Sequence, residues 1–197
     1  MESVDSDNFT VLRVRKRALV TAIERDRSGR WLLRLWGRFI KTRDAFRCLC
    51  CESVEGIQAH HIIRRTRCPW GIFDLGNGVT LCPECHKRVH AEFNGRPDLS
   101  SPLGAEQGDD QNEWSFLFGL LRDDAIRRGL PEDEFYHFSD DFLKFSIAYQ
   151  GYEQLYESVE RNELSRLRFM HEIWRPMPEQ FYANLASEVG RMLLSEQ

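Results

Sequence analysis

The sequence lacks an apolar run of the ~18 residues that a membrane-spanning helix requires, so we expect no membrane partner. It also lacks the basic and then apolar start of a secretory signal, because its first residues, MESVDSDNFT, are acidic and polar. We therefore expect a reducing, cytoplasmic compartment. In such a compartment, closely spaced cysteines favour metal binding over disulfide bonds.

Cysteine and histidine are scarce outside one stretch. All six cysteines and four of the six histidines lie between Arg43 and Phe93. The other two, His137 and His171, stand alone, and a packed or surface role is favoured for both. Nothing in residues 113–197 identifies a chemistry, so the functional prediction depends on the cysteine- and histidine-rich stretch.

Charge is divided unevenly along the chain. Residues 1–100 carry 18 Lys/Arg against 12 Asp/Glu, a net charge of +6, whereas residues 101–197 carry 9 against 19, a net charge of −10. A basic half that also holds the cysteines and histidines is suited to a polyanionic partner. The alternative, that both halves are ordinary solvated surfaces, stays open on charge alone.

Composition divides the chain into four parts. We predict a basic and apolar segment at 1–42 that packs on the core, the core itself at 43–93, a linker rich in Gly, Pro, Ser and Asp at 94–112, and a helical domain at 113–197. The period of residues 9–42 fits a helix or a strand, with a turn signal at 26–29 and aromatics at 31–40 that would pack on the core.

Apolar residues recur at helical spacing in the acidic tail. They predict a helix from Trp114 that ends near Gly129, a second with Ser139 as N-cap, a third around 164–174 and a fourth around 181–192. The second stripe runs over 142–159 and is rich in Phe and Tyr. It could stack nucleic-acid bases, but a core role is favoured.

Two Cys-x-x-Cys pairs predict one metal site. Cys48 and Cys51 precede Cys82 and Cys85 by about 30 residues. Each pair forms a tight turn that presents two sulfurs, and two such turns complete a closed tetrahedral zinc site that stabilises the fold. A redox dithiol is the alternative, but its usual βαβ context is missing. Cys50 and Cys68 are predicted to be non-ligands.

The histidines predict a second site. Residues 57–63, IQAHHII, have strand character, and Asn77-Gly78 before Val-Thr-Leu is a hairpin signal. His86 and His90 are four apart on a helix predicted from Cys82 to about Phe93, so they share one face. His60 and His61 point to opposite sides of a strand, so one of them can join the helical pair on a metal while the other faces a substrate. A packing role for all four, or a role as extra zinc ligands, is the less favoured alternative.

These residues resemble the HNH endonuclease family, the ββα-metal nucleases, over about Arg43–Phe93. The pattern is RDxxxCxxC, then AHHI, then NxVTLCxxCHxxxH. The resemblance implies an α+β chain: a ββα-metal core with a four-cysteine zinc site, followed by a mostly α-helical C-terminal domain. Residues 62–76, with Cys68 and Trp70, and the helical tail match no pattern of the family.

The resemblance also implies roles for individual residues. It makes His61 the general base that activates water, His60 and His86 ligands of a catalytic divalent ion, His90 a further ligand, and Asn77 the residue that steadies the loop holding the base. The catalytic ion would be Mg²⁺, Mn²⁺, Ni²⁺ or Zn²⁺, and the four cysteines would hold the structural Zn²⁺. Phosphate contacts are expected from the basic residues beside the site: Arg64, Arg65, Arg67, Lys87 and Arg88.

The sequence thus predicts a metal-dependent HNH-type endonuclease that nicks or cuts DNA, in the bacterial or phage-infected cytoplasm that the family suggests. The acidic helical domain would position the nuclease, bind a protein partner or self-associate. Two alternatives stay open: a non-catalytic, zinc-dependent nucleic-acid-binding module, and a protein-interaction adaptor whose nuclease is vestigial.

Overall fold

The computed structural model describes residues 3–90, 111–150 and 152–175. Two helices come first, α1 (Ser3–Glu24) and α2 (Gly29–Arg43), and they pack against each other. The turn between them passes through Asp26, whose φ is +48°. The open choice between helix and strand for this segment resolves to helix, because Leu12, Leu19 and Ala22 lie on one buried face of α1.

A two-stranded antiparallel sheet follows, with β1 at Gln58–His61 and β2 at Gly78–Leu81. The register pairs His60 with Val79 and His61 with Gly78. A short helix, α3 (Pro83–Arg88), begins directly after β2. The chain therefore has a small sheet and a helix at the predicted place, within an otherwise helical structure.

The Asn77-Gly78 hairpin turn was a wrong prediction. Residues 62–77 connect the strands, with 3₁₀ turns at Pro69–Gly71 and Leu75–Asn77, and Gly78 is extended at φ −127°. The physical reason is that the Asn77 side chain closes this long loop instead. Its Oδ1 accepts from the Ile63 N–H at 2.8 Å, and its Nδ2 donates to the Ile63 carbonyl oxygen at 3.0 Å.

The acidic part of the chain is helical. Its described helices are α4 (Gln111–Arg128), α5 (Glu132–Phe135), α6 (Asp140–Gln150), α7 (Glu153–Glu160) and α8 (Arg166–Trp174). Gly129 ends α4 with φ +59°, and Ser139 caps α6 by accepting from the Phe142 N–H at 3.4 Å. The aromatic stripe at 142–159 is divided between α6 and α7 rather than forming one helix. The fourth helix predicted around 181–192 lies outside the described residues, as does most of the predicted linker.

The helical part packs on the loop that joins the strands. The Gly76 N–H donates to the His137 carbonyl oxygen at 2.9 Å, and the Asp74 carboxylate accepts from the Ser139 N–H and hydroxyl at 2.9 and 2.8 Å. Phe138 and Phe142 are fully buried in a core continuous with that of the sheet and of α2. The acidic helices thus support the 62–77 loop directly.

A buried ion pair ties the end of α2 to β2. Arg43 donates to Asp44 Oδ1 at 2.7 Å and to the carbonyl oxygens of Leu75 and Gly78, while Asp44 Oδ2 accepts from the Thr80 N–H at 2.8 Å. Both charged side chains are fully buried. The bonds to Gly78 and Thr80 fix β2, the strand that the second cysteine pair follows.

Gly76→Ala will destabilise the fold. A methyl group on Gly76 would lie 2.1 Å from Phe138 Cε2, so the loop and α5–α6 must separate, and such overpacking costs about 1–3 kcal/mol or more. Thermal unfolding followed by circular dichroism should give a lower melting temperature. Gly29→Ala is the matched control, because no atom lies within 4 Å of its added methyl group. Equal melting of the two variants would contradict the contact described.

No helix in the described parts of the chain is long and apolar enough to cross a membrane.

Candidate active site and metal centre

The four cysteines of the two Cys-x-x-Cys pairs converge on one point. Their sulfurs lie within 4.8 Å of one another, and Cys51 Sγ is 3.6 Å from Cys82 Sγ. Zinc–sulfur bonds of about 2.3 Å in a tetrahedron place sulfurs about 3.8 Å apart, so the group fits a metal ion such as zinc. Cys48, Cys82 and Cys85 are buried and Cys51 is exposed.

Backbone geometry shapes both cysteine turns. The Cys48 N–H donates to the Ser53 carbonyl oxygen, and the Leu49 N–H donates to the Thr80 carbonyl oxygen, which ties the first turn to β2. Glu52 completes that turn at φ +63°. Cys82 caps α3, its sulfur accepting from the Cys85 N–H at 3.5 Å. The second turn is therefore also the start of the helix that carries two histidines.

The thiols differ in how readily they ionise. Burial raises the pKa of Cys48, but the N–H groups of Cys82, Cys51 and Cys50 outweigh it and lower that pKa to about 7. Burial raises the pKa of Cys50 to about 11 and that of Cys68 to about 12. Burial also raises the pKa of Cys85, so the convergence of the four sulfurs, rather than their ionisation, separates the group from Cys50 and Cys68.

Three histidines form a second group. His60 from β1, His86 from α3 and His90 just beyond it have ring centroids 4.8–4.9 Å apart. One ring nitrogen from each lies within 4.8 Å of the others. Three ligands with the fourth position open is the arrangement of catalytic metal sites, so these nitrogens fit a divalent ion.

The surroundings keep these rings neutral. Burial, followed by His90 and His86, holds the pKa of His60 well below its ordinary value. Burial also lowers the pKa of His86, and together with His86 and Arg64 it lowers the pKa of His90 to about 4. Neutral imidazole is the form that binds a metal ion.

His61 points to the opposite side of β1 and is held at two points. Its ring stacks on Trp36 of α2, with centroids 3.9 Å apart and an angle of 6° between the planes. Its Nε2 lies 2.9 Å from the Ile72 carbonyl oxygen. A carbonyl can only accept, so Nε2 carries the proton and Nδ1 has the lone pair. Burial lowers the pKa of His61 to about 4.

Asn77 is fully buried in the loop rather than facing the histidines. Besides Ile63, its Nδ2 reaches the Gly71 carbonyl oxygen at 3.3 Å. These bonds join both ends of the loop, and Ile72, whose carbonyl holds His61, is next to Gly71. The Asn77 side chain therefore closes the loop and does not join the histidine group.

The five residues predicted to contact phosphate differ in their exposure to solvent. Arg65, Lys87 and Arg88 are exposed, and Arg64 is half-buried with its Nη2 3.4 Å from His90 Nδ1. Arg67 is only 7% exposed, which leaves little of it to meet a phosphate. Arg88 lies over the Phe116 ring at 5.8 Å.

The sequence analysis missed residues that are distant from His61 in sequence but support it in the structure. Trp36 stacks on it and also donates from Nε1 to the Asp74 carbonyl oxygen at 3.1 Å. Asp74 in turn binds Ser139 of the helical part. The aromatics at 31–40 were a partial signal for Trp36, whereas nothing in the sequence pattern marks Asp74.

Comparison with known proteins agrees with this geometry. Anaredoxin of Nostoc sp. (strain PCC 7120 / SAG 25.82 / UTEX 2576) is 33% identical over 52 residues, a match that covers 26% of this chain and 66% of that protein, just under two thirds of its length. No solved structure matches the chain. The HNH endonuclease family model matches residues 48–92, the segment that contains both the cysteine group and the histidine group. The family resemblance is thereby confirmed for residues 48–92, the segment that matches the HNH endonuclease family model.

Proposed function

We propose that the protein is a metal-dependent endonuclease that hydrolyses phosphodiester bonds in DNA, with His61 as the general base. The observation that carries the proposal is the convergence of His60, His86 and His90 within the segment that matches the HNH endonuclease family model, with His61 next to His60 on the same strand. A structural or purely DNA-binding module needs the cysteines and arginines, but it gives no reason for a fourth histidine held with its Nδ1 lone pair unused.

His61 takes the proton of the attacking water. The bond from Nε2–H to the Ile72 carbonyl oxygen fixes the tautomer, and the stacked Trp36 ring stops the imidazole from rotating. Nδ1 is then the only ring nitrogen that can accept a proton. A base held in one orientation contributes about 10²–10⁴-fold to such a reaction.

His60, His86 and His90 are the residues that would hold the catalytic ion. A divalent ion bound there would stabilise the charge that develops on the phosphate and on the leaving oxygen. Imidazole ligands are compatible with Zn²⁺ and Ni²⁺ and do not exclude Mg²⁺ or Mn²⁺ at an open position. We propose Zn²⁺ for the four cysteines, because four thiolates in a closed tetrahedron are typical of structural zinc.

The acidic helices do not supply the DNA-binding charge. Their contacts to Gly76 and Asp74 instead support the loop that carries the Ile72 carbonyl. We propose that they keep this loop, and so His61, in position. Self-association or a protein partner for this part stays a prediction.

Incubation with supercoiled plasmid tests the proposal. Purified protein should nick or linearise the plasmid when Mg²⁺, Mn²⁺ or Ni²⁺ is added, and should not do so without added ion. His86→Ala should raise the ion concentration that cleavage requires, because it removes one ligand. His137→Ala is the matched control, since His137 is exposed and outside the cluster.

Two results would contradict the proposal. Cleavage that is independent of the added ion would exclude the histidine group as its source. DNA binding without cleavage under any of these ions would favour the non-catalytic nucleic-acid-binding module.

A further inference from the structure

An open groove of about 850 Å³ lies on the His61 side of β1, between that strand and the two N-terminal helices. Its lining includes five cationic side chains and no carboxylate. They are Arg15, Arg34, Arg38, Lys41 and Arg65. His61 and Trp36 form part of the same wall. The residue proposed as the general base is therefore part of the groove lining.

The cations are arranged along one direction. Arg34, Arg38 and Lys41 are separated by four and three residues, so they share one face of α2. Arg15 faces them from α1, and burial together with the nearby Arg38 lowers the pKa of Arg15. Like charges held this close favour an anionic occupant.

Several arginines outside the groove are paired with acidic side chains. Arg13 binds Glu134 at 2.7 Å, and Arg47 binds the buried Asp124 at 2.5 Å. Within the described residues, none of the five groove cations forms an ion pair. Their charge is therefore available to a ligand.

Exposed aromatic rings accompany these cations. Phe46 lines the groove with 47% of its surface exposed, and the Arg15 guanidinium lies 6.0 Å from its ring centroid. Its backbone is in the left-handed region at φ +55°, a costly conformation for a bulky residue. Trp31, 42% exposed, is paired with Arg34 at 5.2 Å. Cations with exposed rings along a groove are the pattern of single-strand binding.

We propose that this groove binds a single-stranded segment of the nucleic-acid substrate and leads it to His61. The phosphates contact the cations of α2, and an unpaired base stacks on Phe46. A duplex offers its phosphates to such a groove but has no free base face for the ring. The proposal rests on the proposed nuclease function and names the form of substrate that this site takes.

Fluorescence anisotropy with labelled oligonucleotides tests the groove without requiring cleavage. A 12-nucleotide single strand and a duplex of the same length are titrated with full-length protein carrying His60→Ala. Arg38→Glu/Lys41→Glu should weaken single-strand binding at least tenfold, and should reduce the slope of log K against log salt by about 1.4, because two phosphate contacts are lost.

The matched control is Arg25→Glu/Arg27→Glu, which makes the same change in net charge at exposed positions outside the groove. It should weaken binding less than threefold. Phe46→Ala should weaken single-strand binding about tenfold and leave duplex binding nearly unchanged, since a stacking contact is lost. Melting curves verify that each variant is folded.

Equal weakening by the two double variants would overturn the proposal, because net charge alone would then explain binding. Loss of duplex and single-strand binding together, with no effect of Phe46→Ala, would also overturn it in favour of a duplex-tracking surface. If the variants differ in binding as expected but the protein never cleaves plasmid, the groove proposal is supported and the nuclease proposal is contradicted. The two failures are therefore distinguishable.

Discussion

His61→Ala will lower the rate of phosphodiester cleavage by about 10²–10⁴-fold, the range expected for the loss of a general base. The ring contacts Trp36 and the Ile72 carbonyl and is not part of the group formed by His60, His86 and His90. Binding of the catalytic ion should therefore remain close to that of the unmodified protein. Single-turnover cleavage of labelled DNA at saturating ion measures the rate.

His60→Ala is the informative comparison, because His60 is adjacent in sequence but lies on the opposite side of the strand. Removing a ligand weakens ion binding, so raising the ion concentration should partly restore cleavage in His60→Ala. The same addition should not restore His61→Ala. If the added ion rescues His61→Ala alone, the two roles are reversed; if both variants keep full activity, the active site lies elsewhere.

The grouping of the cysteines and histidines could be predicted because it depends on local spacing. Two residues between cysteines form a turn, and three between His86 and His90 place both on one helix face, whatever the rest of the chain does. The structure brings together the four cysteines and joins His60 to the pair on the helix. Spacing alone left the choice between His60 and His61 open, and the family resemblance assigned that place to His60. The opposite orientation of His61 follows equally from the alternation of a strand.

The support of His61 could not be predicted in the same way. Trp36 reaches it from 25 positions earlier, and Asp74 is bound by Ser139, 65 positions later. Such contacts depend on how separate elements pack, and a local sequence pattern carries no information about that packing. The fully buried Arg43 and Asp44 are a related case, because charged residues are expected at the surface, and their mutual pairing together with hydrogen bonds to the backbone permits burial.

Local signals also competed with each other. Asn77-Gly78 has the composition of a two-residue hairpin turn. The Asn77 side chain instead forms two hydrogen bonds to the Ile63 backbone that close the 62–77 loop, so the turn does not form there. In α1, basic residues interrupt the apolar positions, so the period of the apolar residues is ambiguous in the sequence. In the structure Leu12 and Leu19 are buried on one face of a helix. In both segments tertiary contacts decided between local alternatives.

Cys82→Ser will remove the metal from the four-cysteine group and unfold the surrounding turns. Structural zinc contributes an apparent binding free energy of about 10–16 kcal/mol in small zinc modules, which is comparable to the whole stability of about 5–15 kcal/mol of a typical domain. Cys82 also caps α3, so its loss frees the start of the helix that carries His86. Both metal sites should therefore fail together.

Elemental analysis of the purified protein should give about one zinc per chain, since one closed site takes one ion, and almost none for Cys82→Ser, which should also melt at a lower temperature. Cys50→Ser is the matched control, because its sulfur is outside the group of four. It should retain zinc and its melting temperature. Loss of zinc from Cys50→Ser would make Cys50 a ligand, and unchanged melting of a zinc-free Cys82→Ser protein would mean that the metal has no role in the fold. The control matters because Cys50 is the immediate neighbour of Cys51. Only a difference in zinc content between Cys50→Ser and Cys82→Ser assigns the metal to the two Cys-x-x-Cys pairs rather than to the cysteine-rich turn as a whole.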